Sequence, residues 1–317
     1  MTTGVAIALY NGSKFVLEQL NSIKNQTLTV DKVILCDDGS KDNTLELVEK
    51  FINDNHLQSS WQLIVNDKNL GYARNFYKAM SLCDTDIIFL CDQDDIWCEN
   101  KVEKMTKIME NHSEILLLSS KFGMIDSEGN IMHGILERKS QETNELRILT
   151  HYNLLREYYW PGMLMCIRRD FFNSMHELVK EHTVAHDRVL AHFAAERNGF
   201  YEVDFIGAYH RRHNNNTAKE EHRVSKLLNI NRKLDDMKDY REMLTGLLEI
   251  SLPFSDESLS LIEERLALVK LREDAVGKKS LKLLWQLYKS DKRKLLRKVS
   301  FVCDIWLILF GKKMGEK

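Results

Sequence analysis

Three carboxylates directly follow an apolar run in the first third of the chain. Residues 87–91 read Ile-Ile-Phe-Leu-Cys, which is typical of a buried strand, and Asp92, Asp94 and Asp95 come next. Carboxylates at i and i+2 lie on the same side of an extended chain, so Asp92 and Asp94 can reach one hard cation and a diphosphate that it neutralises. The alternative for an isolated Asp-x-Asp is a solvated acidic turn, and the surrounding elements must decide between the two.

The residues around this run alternate between apolar and amphipathic segments. Strands are predicted over 5–9, 32–36, 61–65 and 86–91, with helices to about 26, over 45–52 and to about 82 between them. This alternation predicts an α/β fold with a doubly wound, parallel sheet and right-handed crossovers. The carboxyl ends of the strands then share one edge, where such sheets bind their ligands.

The composition is that of a globular protein with room for a second subdomain. The chain has 317 residues, of which 44% are hydrophobic and 29% are charged. Its six cysteines show neither Cys-x-x-Cys nor zinc spacing, which predicts free thiols and no disulfide. No basic leader precedes the first apolar run, so we expect a cytoplasmic protein without a signal peptide.

Charge is distributed unevenly along the chain. Residues 278–317 carry 12 Lys and Arg against 3 Asp and Glu, a balance of +9, whereas the whole chain has a net charge of -2. Residues 1–277 therefore carry -11. An acidic body argues against nucleic acid as the principal partner, because duplex binding needs a basic face on the folded domain.

Four motifs stand in a fixed order within the first hundred residues. They are Tyr10-Asn11-Gly12, Asp37-Asp38-Gly39-Ser40 with Asp42 and Thr44, Asn69-Leu70-Gly71 with Arg74-Asn75, and Cys91 to Trp97. In order and spacing they resemble family 2 glycosyltransferases of the GT-A fold. The Asp-Gln-Asp-Asp-Ile-Trp form is most similar to bacterial rhamnosyltransferases of cell-surface polysaccharide synthesis. The resemblance implies a GT-A domain over 1–220 and a helical C-terminal region with a basic amphipathic tail over 221–317.

The resemblance also assigns the donor side of the site. Asp37 would accept a hydrogen bond from a pyrimidine base, and Arg74 would meet the diphosphate, although a helix-surface Arg paired with a carboxylate is the alternative. The positions assigned to the nucleotide sugar are Tyr10, Asn11, Asp37, Asp38, Gly71, Arg74, Asp92, Arg211 and Arg212.

A metal site follows from the same resemblance. Asp94, His213 and Asp92 would hold Mg²⁺ or Mn²⁺, with His213 drawn from the segment Tyr209 to Asn216. Asp95 either supports these ligands or caps the helix predicted to start near Glu99.

The acceptor side is implied by His186-Asp187 at the start of a predicted helix. The resemblance makes Asp187 the general base, since a carboxylate within hydrogen-bond distance of an acceptor hydroxyl can take its proton; a simple helix N-cap is the alternative. Trp97, Trp160 and His186 are assigned to the acceptor side. Residues 134–156 are polar and poorly periodic, and we predict a mobile segment over the acceptor there.

The sequence thus predicts an inverting, metal-dependent glycosyltransferase. The expected donor is dTDP-L-rhamnose and the expected acceptor a cell-surface polysaccharide or lipid-linked oligosaccharide, with a UDP-hexose or UDP-N-acetylhexosamine as the alternative donor. An inactive nucleotide-sugar-binding subunit is the non-enzymatic alternative. A nucleotidyltransferase is disfavoured, because no Gly-rich phosphate loop with a lysine follows the first strand.

The basic tail has a pattern of its own. From Leu281 to Leu309, apolar residues recur at steps of three and four among lysines and arginines, which gives one apolar stripe if the helix is continuous. Such a helix predicts peripheral contact of residues 278–317 with the inner face of the cell membrane; packing of the stripe on the protein core is the alternative. Residues 299–310 are too short for a span and contain Asp304.

Overall fold

The chain divides into two compact units. The computed structural model describes residues 1–132, 140–157, 160–213, 229–250 and 254–311. The first unit comprises Met1–Leu149 and Trp160–His213, and the second comprises Thr150–Tyr159 and Asn214–Lys317. The domain boundary predicted at residue 220 falls outside the described residues.

The first unit is built on one twisted sheet. Its strands are β1 (Thr3–Leu9), β2 (Lys32–Asp37), β3 (Trp61–Val65), β4 (Ile87–Cys91), β5 (Ile96–Trp97), β6 (Leu117–Ile125), β7 (Ile131–Met132), β8 (Leu146–Ile148), β9 (Met165–Arg168) and β10 (Phe200–Arg211). The spatial order is β3-β2-β1-β4-β9-β6-β10-β5, with β7 beside β6 and β8 beside β10. The first four strands are parallel, and β9 runs antiparallel to both β4 and β6. The predicted α/β class with a mostly parallel sheet is confirmed.

Helices connect the parallel strands as the alternation predicts. They are α1 (Val16–Lys24), α2 (Thr44–Asp54), α3 (Tyr72–Leu82) and α4 (Lys101–Asn111), followed later in the unit by α6 (Arg169–Val179) and α7 (His186–Glu196). Every residue of β4 is buried, as expected for a strand that is covered on both faces. The carboxylates after β4 therefore follow a fully buried strand.

Several element boundaries differ from the predictions. The helix α4 begins at Lys101 with Asn100 as its N-cap, so Asp95 does not cap it. The apolar run after Pro161 begins with a 3₁₀ turn over Gly162–Leu164 and becomes a strand only at Met165. The strand β10 continues to Arg211 because it pairs with both β6 and β5.

Residues 140–157 contain regular structure where a mobile segment is predicted. The strand β8 pairs with β10, and a short helix, α5 (His151–Glu157), belongs to the second unit. The α5 side chains of His151, Leu154 and Leu155 are buried. Elements of three and seven residues are too short to show a period, which is why the prediction is wrong here. Residues 133–139 of the predicted segment lie outside the described residues.

The second unit is helical. Besides α5 it contains α8 (Ile230–Glu249), α9 (Asp256–Gly277), α10 (Leu281–Lys289) and α11 (Lys298–Phe310), with a 3₁₀ turn over Asp291–Leu295. The side chains of Asn229, Ser255 and Ser280 cap three of these helices by accepting a backbone N–H. The tail is two helices rather than one continuous helix. None of the described helices is long and apolar enough to cross a membrane.

A buried ion pair joins α9 to α11. The Arg272 guanidinium donates from Nε and Nη2 to the two carboxylate oxygens of Asp304, at 2.7 and 2.9 Å. The Arg272 side chain is 7% exposed and that of Asp304 is not exposed. Removal of one partner leaves the other charge buried without compensation, which is far costlier than loss of an exposed pair.

We therefore expect Asp304→Ala to lower the free energy of unfolding by about 3–5 kcal/mol. The matched control is Asp274→Ala, which removes a solvent-exposed partner of Lys278 (3.0 Å) and should cost at most about 1 kcal/mol. Urea denaturation of both variants beside the wild type measures the difference. Equal losses for the two variants would contradict the assigned role of the buried pair.

Candidate active site

The carboxylate turn after β4 meets the end of β10. Asp94 Oδ2 lies 2.9 Å from His213 Nε2, and the His213 ring packs on Phe15 with 4.7 Å between ring centroids. The structure thus brings together Asp94 and His213, which are 119 residues apart in the chain. Phe15, just before α1, is a part of the site that sequence reasoning missed.

The predicted metal ligands form a pair rather than a trio. No group of three or more His, Cys, Asp or Glu side chains in the described part of the chain is placed to hold a metal ion, so Asp92 does not complete a set with Asp94 and His213. Mg²⁺ commonly takes only one or two protein ligands and the rest from substrate phosphates and water. Burial and the carboxylates of Asp95, Asp94 and Asp187 raise the pKa of Asp92 well above its ordinary value. The side chains of Asp94 and His213, with the carboxylates around them, fit a divalent cation that is bound together with a diphosphate.

Asp95 is a buried link between the turn and β10. Its Oδ1 accepts the backbone N–H of Arg211 at 2.9 Å and lies 3.1 Å from His210 Nδ1. Burial raises the pKa of Asp95 against the opposing effect of His210. Asp95 therefore fixes the register of β10 against the turn, and with it the approach of His213 to Asp94.

The two arginines beside His213 have different surroundings. Arg211 is fully buried, with its Nη2 2.6 Å from Glu18 Oε2 and its Nε donating to the Asp94 carbonyl at 2.9 Å. Arg211 stabilises the carboxylate turn from within the core. Its predicted contact with the diphosphate is therefore not supported. Arg212 is partly exposed, its Nε has no partner among the described residues, and its Nη2 lies 3.9 Å from Met124 Sδ. Arg212 is the better placed of the two to meet an anion.

The Asp38 carboxylate is engaged in hydrogen bonds with neighbouring residues of the fold. Its carboxylate accepts the Asn66 side-chain amide at 2.8 Å and the backbone N–H groups of Leu70 and Gly71 at 2.7 and 2.8 Å. Gly71 has φ +80°, a conformation that glycine adopts without strain. Asp38 and Gly71 therefore build the turn before α3, and the predicted contact of Asp38 with the nucleotide is not supported because the residue is buried.

The nucleoside side has one buried and two exposed members. The Asp37 carboxylate is buried and accepts the backbone N–H groups of Gly39 and Ser40, so in this conformation its own turn uses it. Tyr10 and Asn11 are exposed. The Gln93 side chain, which sequence reasoning missed, donates to the Tyr10 carbonyl and accepts its N–H, both at 2.9 Å. Gln93 thereby ties the turn after β1 to the carboxylate turn after β4.

Arg74 anchors a loop rather than facing the donor. Its Nε and Nη2 both donate to the backbone carbonyl of Glu181, at 3.1 and 2.8 Å. Glu181 lies between α6 and α7, so this contact supports the loop that leads to His186. The prediction that Arg74 meets the diphosphate is not supported by this arrangement.

His186 and Asp187 begin α7. Asp187 is partly exposed, and its Oδ1 accepts the backbone N–H of Arg188 at 2.8 Å. The His186 ring is 5% exposed and stacks on Phe76 with 3.9 Å between centroids. Burial lowers the pKa of His186 to about 4, so the ring is neutral at pH 7. Neither of its nitrogens has a hydrogen-bond partner in the described residues.

Gly162 explains how His186 can pack so tightly. A Cβ added at Gly162 would lie 2.8 Å from His186 Nε2 and 3.5 Å from Asp187 Cβ. The glycine of the Trp-Pro-Gly segment is thus required by the start of α7.

The two tryptophans assigned to the acceptor side are core residues. Trp160 is 2% exposed, and its Nε1 donates to Glu202 Oε1 at 2.8 Å. Trp97 is also 2% exposed, and the buried Lys101 ammonium lies 3.7 Å from the centroid of its ring. Burial lowers the pKa of Lys101 to about 8. The acceptor-side predictions for Trp97 and Trp160 are not supported, because both rings are buried.

A family model confirms what the motifs indicate. Residues 4–172, more than half of the chain, match the model for glycosyl transferase family 2. The chain belongs to this family. The matched residues include the carboxylate turn after β4 and end within α6, ahead of Asp187.

Curated relatives of this family are distant or matched over part of their length. Poly(ribitol-phosphate) beta-N-acetylglucosaminyltransferase TarS of Staphylococcus aureus is 35% identical over 124 residues, which are 38% of this chain and 21% of TarS. The dTDP-rhamnosyl transferase RfbG of Shigella flexneri is 26% identical over 225 residues, which are 66% of this chain and 72% of RfbG. The chain thus spans about a fifth of the length of TarS.

Solved structures share the fold at low identity. The crystal structure of S. aureus TarS 1–349 in complex with UDP-GlcNAc has a TM-score of 0.60 at 15% identity, covering 97% of this chain and 82% of that one. The mannosyltransferase PcManGT from Pyrobaculum calidifontis, in complex with GDP-Man and Mn²⁺, has a TM-score of 0.57 at 14% identity, covering 96% and 84%.

We predict that Gly162→Ala lowers turnover without unfolding the protein, because the new methyl group displaces the His186 ring and with it the first turn of α7. The matched control is Gly277→Ala, where an added Cβ meets only Leu234 at 3.7 Å. Sugar-transfer rate and thermal unfolding of both variants check this. Unchanged turnover in Gly162→Ala would show that the close packing of His186 does not matter for the reaction.

Proposed function

We propose that this chain is an inverting glycosyltransferase that moves a sugar from a nucleotide sugar to a saccharide acceptor. The observation that carries the proposal is the pairing of Asp94 with His213 at the end of β4, in the same unit as the partly exposed Asp187 at the start of α7. These groups provide what transfer requires, namely a site for the departing diphosphate and a separate base.

Each part of the site has a role in this reaction. Asp94 and His213 would hold Mg²⁺ or Mn²⁺, which supplies positive charge to the leaving diphosphate. Arg212 adds a second cation for the negative charge that collects on the diphosphate in the oxocarbenium-like transition state. Asp187 removes the proton from the acceptor hydroxyl, and inversion follows because no enzyme nucleophile takes part.

His186 restricts the position of the general base, Asp187. Its neutral ring stacks on Phe76 and abuts Gly162, and it precedes Asp187 directly. A ring that is rigidly packed at the first residue of α7 limits the positions that Asp187 can take. A general base that is held in place avoids the entropy cost of positioning at the moment of reaction.

The proposed donor is dTDP-L-rhamnose. Its support is the similarity to RfbG, a dTDP-rhamnosyl transferase matched over 72% of its length. A UDP-hexose or UDP-N-acetylhexosamine is the second candidate, supported by the similarity to TarS, whose structure was solved with UDP-GlcNAc. The proposed acceptor is a growing cell-surface polysaccharide or a lipid-linked oligosaccharide, which would be met in the cytoplasm.

Purified protein incubated with a panel of nucleotide sugars, Mn²⁺ and rhamnose-bearing or lipid-linked acceptors tests both proposals through release of the nucleotide. We expect release to be fastest with dTDP-L-rhamnose. Preference for a UDP-sugar would overturn the rhamnosyl assignment but leave sugar transfer standing. No release above the rate without enzyme, for any donor, would instead favour the inactive nucleotide-sugar-binding subunit.

The same assay tests Asp187 as the general base. Asp187→Asn keeps the size of the side chain but cannot take the proton, so turnover should fall at least about a hundredfold. Binding of the donor, measured by calorimetry, should be unchanged because Asp187 acts on the acceptor. Near wild-type turnover in Asp187→Asn would place the base elsewhere.

A further inference from the structure

The last helix of the second unit turns its apolar side outward. Among the described residues, 17 large apolar side chains are exposed; seven of them lie in α10 and α11, and six of these have exposures between 50% and 63%. We call these six the apolar face: Trp285, Val299, Val302, Trp306, Leu309 and Phe310. The five members on α11 recur at steps of one, three and four residues, which places them on one side of that helix.

The acidic residue of α11, Asp304, lies on the opposite side of the helix. Asp304 points inward to Arg272, and Leu307 and Ile308 are buried beside it. An ordinary surface helix does the reverse, burying its apolar side and exposing its charges. The outward side of α11 therefore has no carboxylate, and the inward ion pair holds the helix in this orientation.

The apolar face continues onto α10. Trp285, Leu281 and Leu284 of α10 line one groove with Phe301 and Ile305 of α11. The Tyr288 ring stacks on Trp285 at 5.6 Å and on Phe301 at 4.5 Å between centroids. Apolar and aromatic side chains of the two helices thus lie side by side in this groove.

Exposed cations border this surface. The Lys289 ammonium lies 5.6 Å from the Trp285 ring centroid, and the Arg293 guanidinium lies 5.3 Å from that of Tyr288. Arg297 and Lys298 are exposed where α11 begins. In the described residues from 281 onward, the acids are Asp291 and the buried Asp304. Apolar and positively charged groups are thus exposed together.

We propose that the apolar face docks on the surface of a bilayer that contains anionic lipid. Apolar side chains enter the boundary between headgroups and acyl chains, tryptophans favour that boundary, and cations beside them meet anionic headgroups. A second copy of this chain fits less well, because like charges around the two faces would be brought together. The proposal concerns the second unit alone and does not depend on which sugar is transferred.

Vesicle flotation of the full chain tests the proposal. We expect the wild type to float with phosphatidylcholine vesicles that contain about one-third phosphatidylglycerol at low salt, and less with pure phosphatidylcholine vesicles or in about 0.5 M NaCl. Val302→Glu with Trp306→Glu puts two charges on exposed positions of the face and should lower the vesicle-bound fraction at least tenfold. No flotation of the wild type with anionic vesicles would overturn the proposal.

The matched control is Leu82→Glu with Leu178→Glu, which makes the same kind of change at exposed apolar positions of the first unit (40% and 44% exposed). This control should float like the wild type. Equal losses in both double variants, or none in the Val302→Glu and Trp306→Glu variant, would overturn the assignment of the face. A wild type that is dimeric by sedimentation, becomes monomeric in that variant and does not float would show that the face binds a second copy instead.

Discussion

The geometry of the site depends on one buried carboxylate. Asp95 stands where the chain turns after β4, and its Oδ1 accepts the backbone N–H of Arg211 in β10. The antiparallel pairing of Ile96 and Trp97 with β10 extends this link by two residues. Because His213 lies two residues after the end of β10, the register set by Asp95 also sets the approach of His213 to Asp94. Loss of the link would separate the two halves of the proposed metal site without removing either ligand.

The same arrangement concentrates negative charge. Asp92, Asp94 and Asp95 lie within four residues, and the Asp187 carboxylate at the start of α7 also raises the pKa of Asp92. Like charges in a partly buried turn repel one another, which costs free energy in the empty site. Binding of the proposed divalent cation would relieve that repulsion. Arg211, which is fully buried, supplies permanent positive charge nearby, whereas the buried Lys101 carries a charge only below its lowered pKa of about 8.

The parallel half of the fold could be predicted from the sequence because its signals are local. The strand Trp61–Val65 and the end of α3 at Leu82 follow from apolar period and turn residues over fewer than a dozen positions. Polar residues at strand ends also predict the region of the site. The sequence did not predict which individual side chains are buried, because burial is set by partners that are distant in the chain. Trp160 binds Glu202 across 42 residues, and Arg211 binds Glu18 across 193.

The orientation of the C-terminal helices also depends on partners that are distant in the chain. A single apolar stripe assumes one continuous helix, but the structure breaks it at the 3₁₀ turn over 291–295 and buries Leu284 and Leu295 while leaving Trp306 exposed. The orientation of α11 follows from the pairing of Asp304 with Arg272 on another helix, which no periodicity in residues 281–309 contains. Sequence reasoning therefore found the amphipathic composition and could not say which side faces outward.

The central claim is that Asp94 and His213 bind a divalent cation together with the donor diphosphate. Calorimetric titration of dTDP and UDP with and without Mn²⁺ tests it in the wild type, in Asp94→Ala and in Asp54→Ala, a control that removes an exposed carboxylate paired with Lys50. We expect Mn²⁺ to tighten nucleotide binding at least about tenfold in the wild type and in Asp54→Ala, and this gain to be lost in Asp94→Ala with the fold intact. The same gain from Mn²⁺ in Asp94→Ala as in the wild type would contradict it.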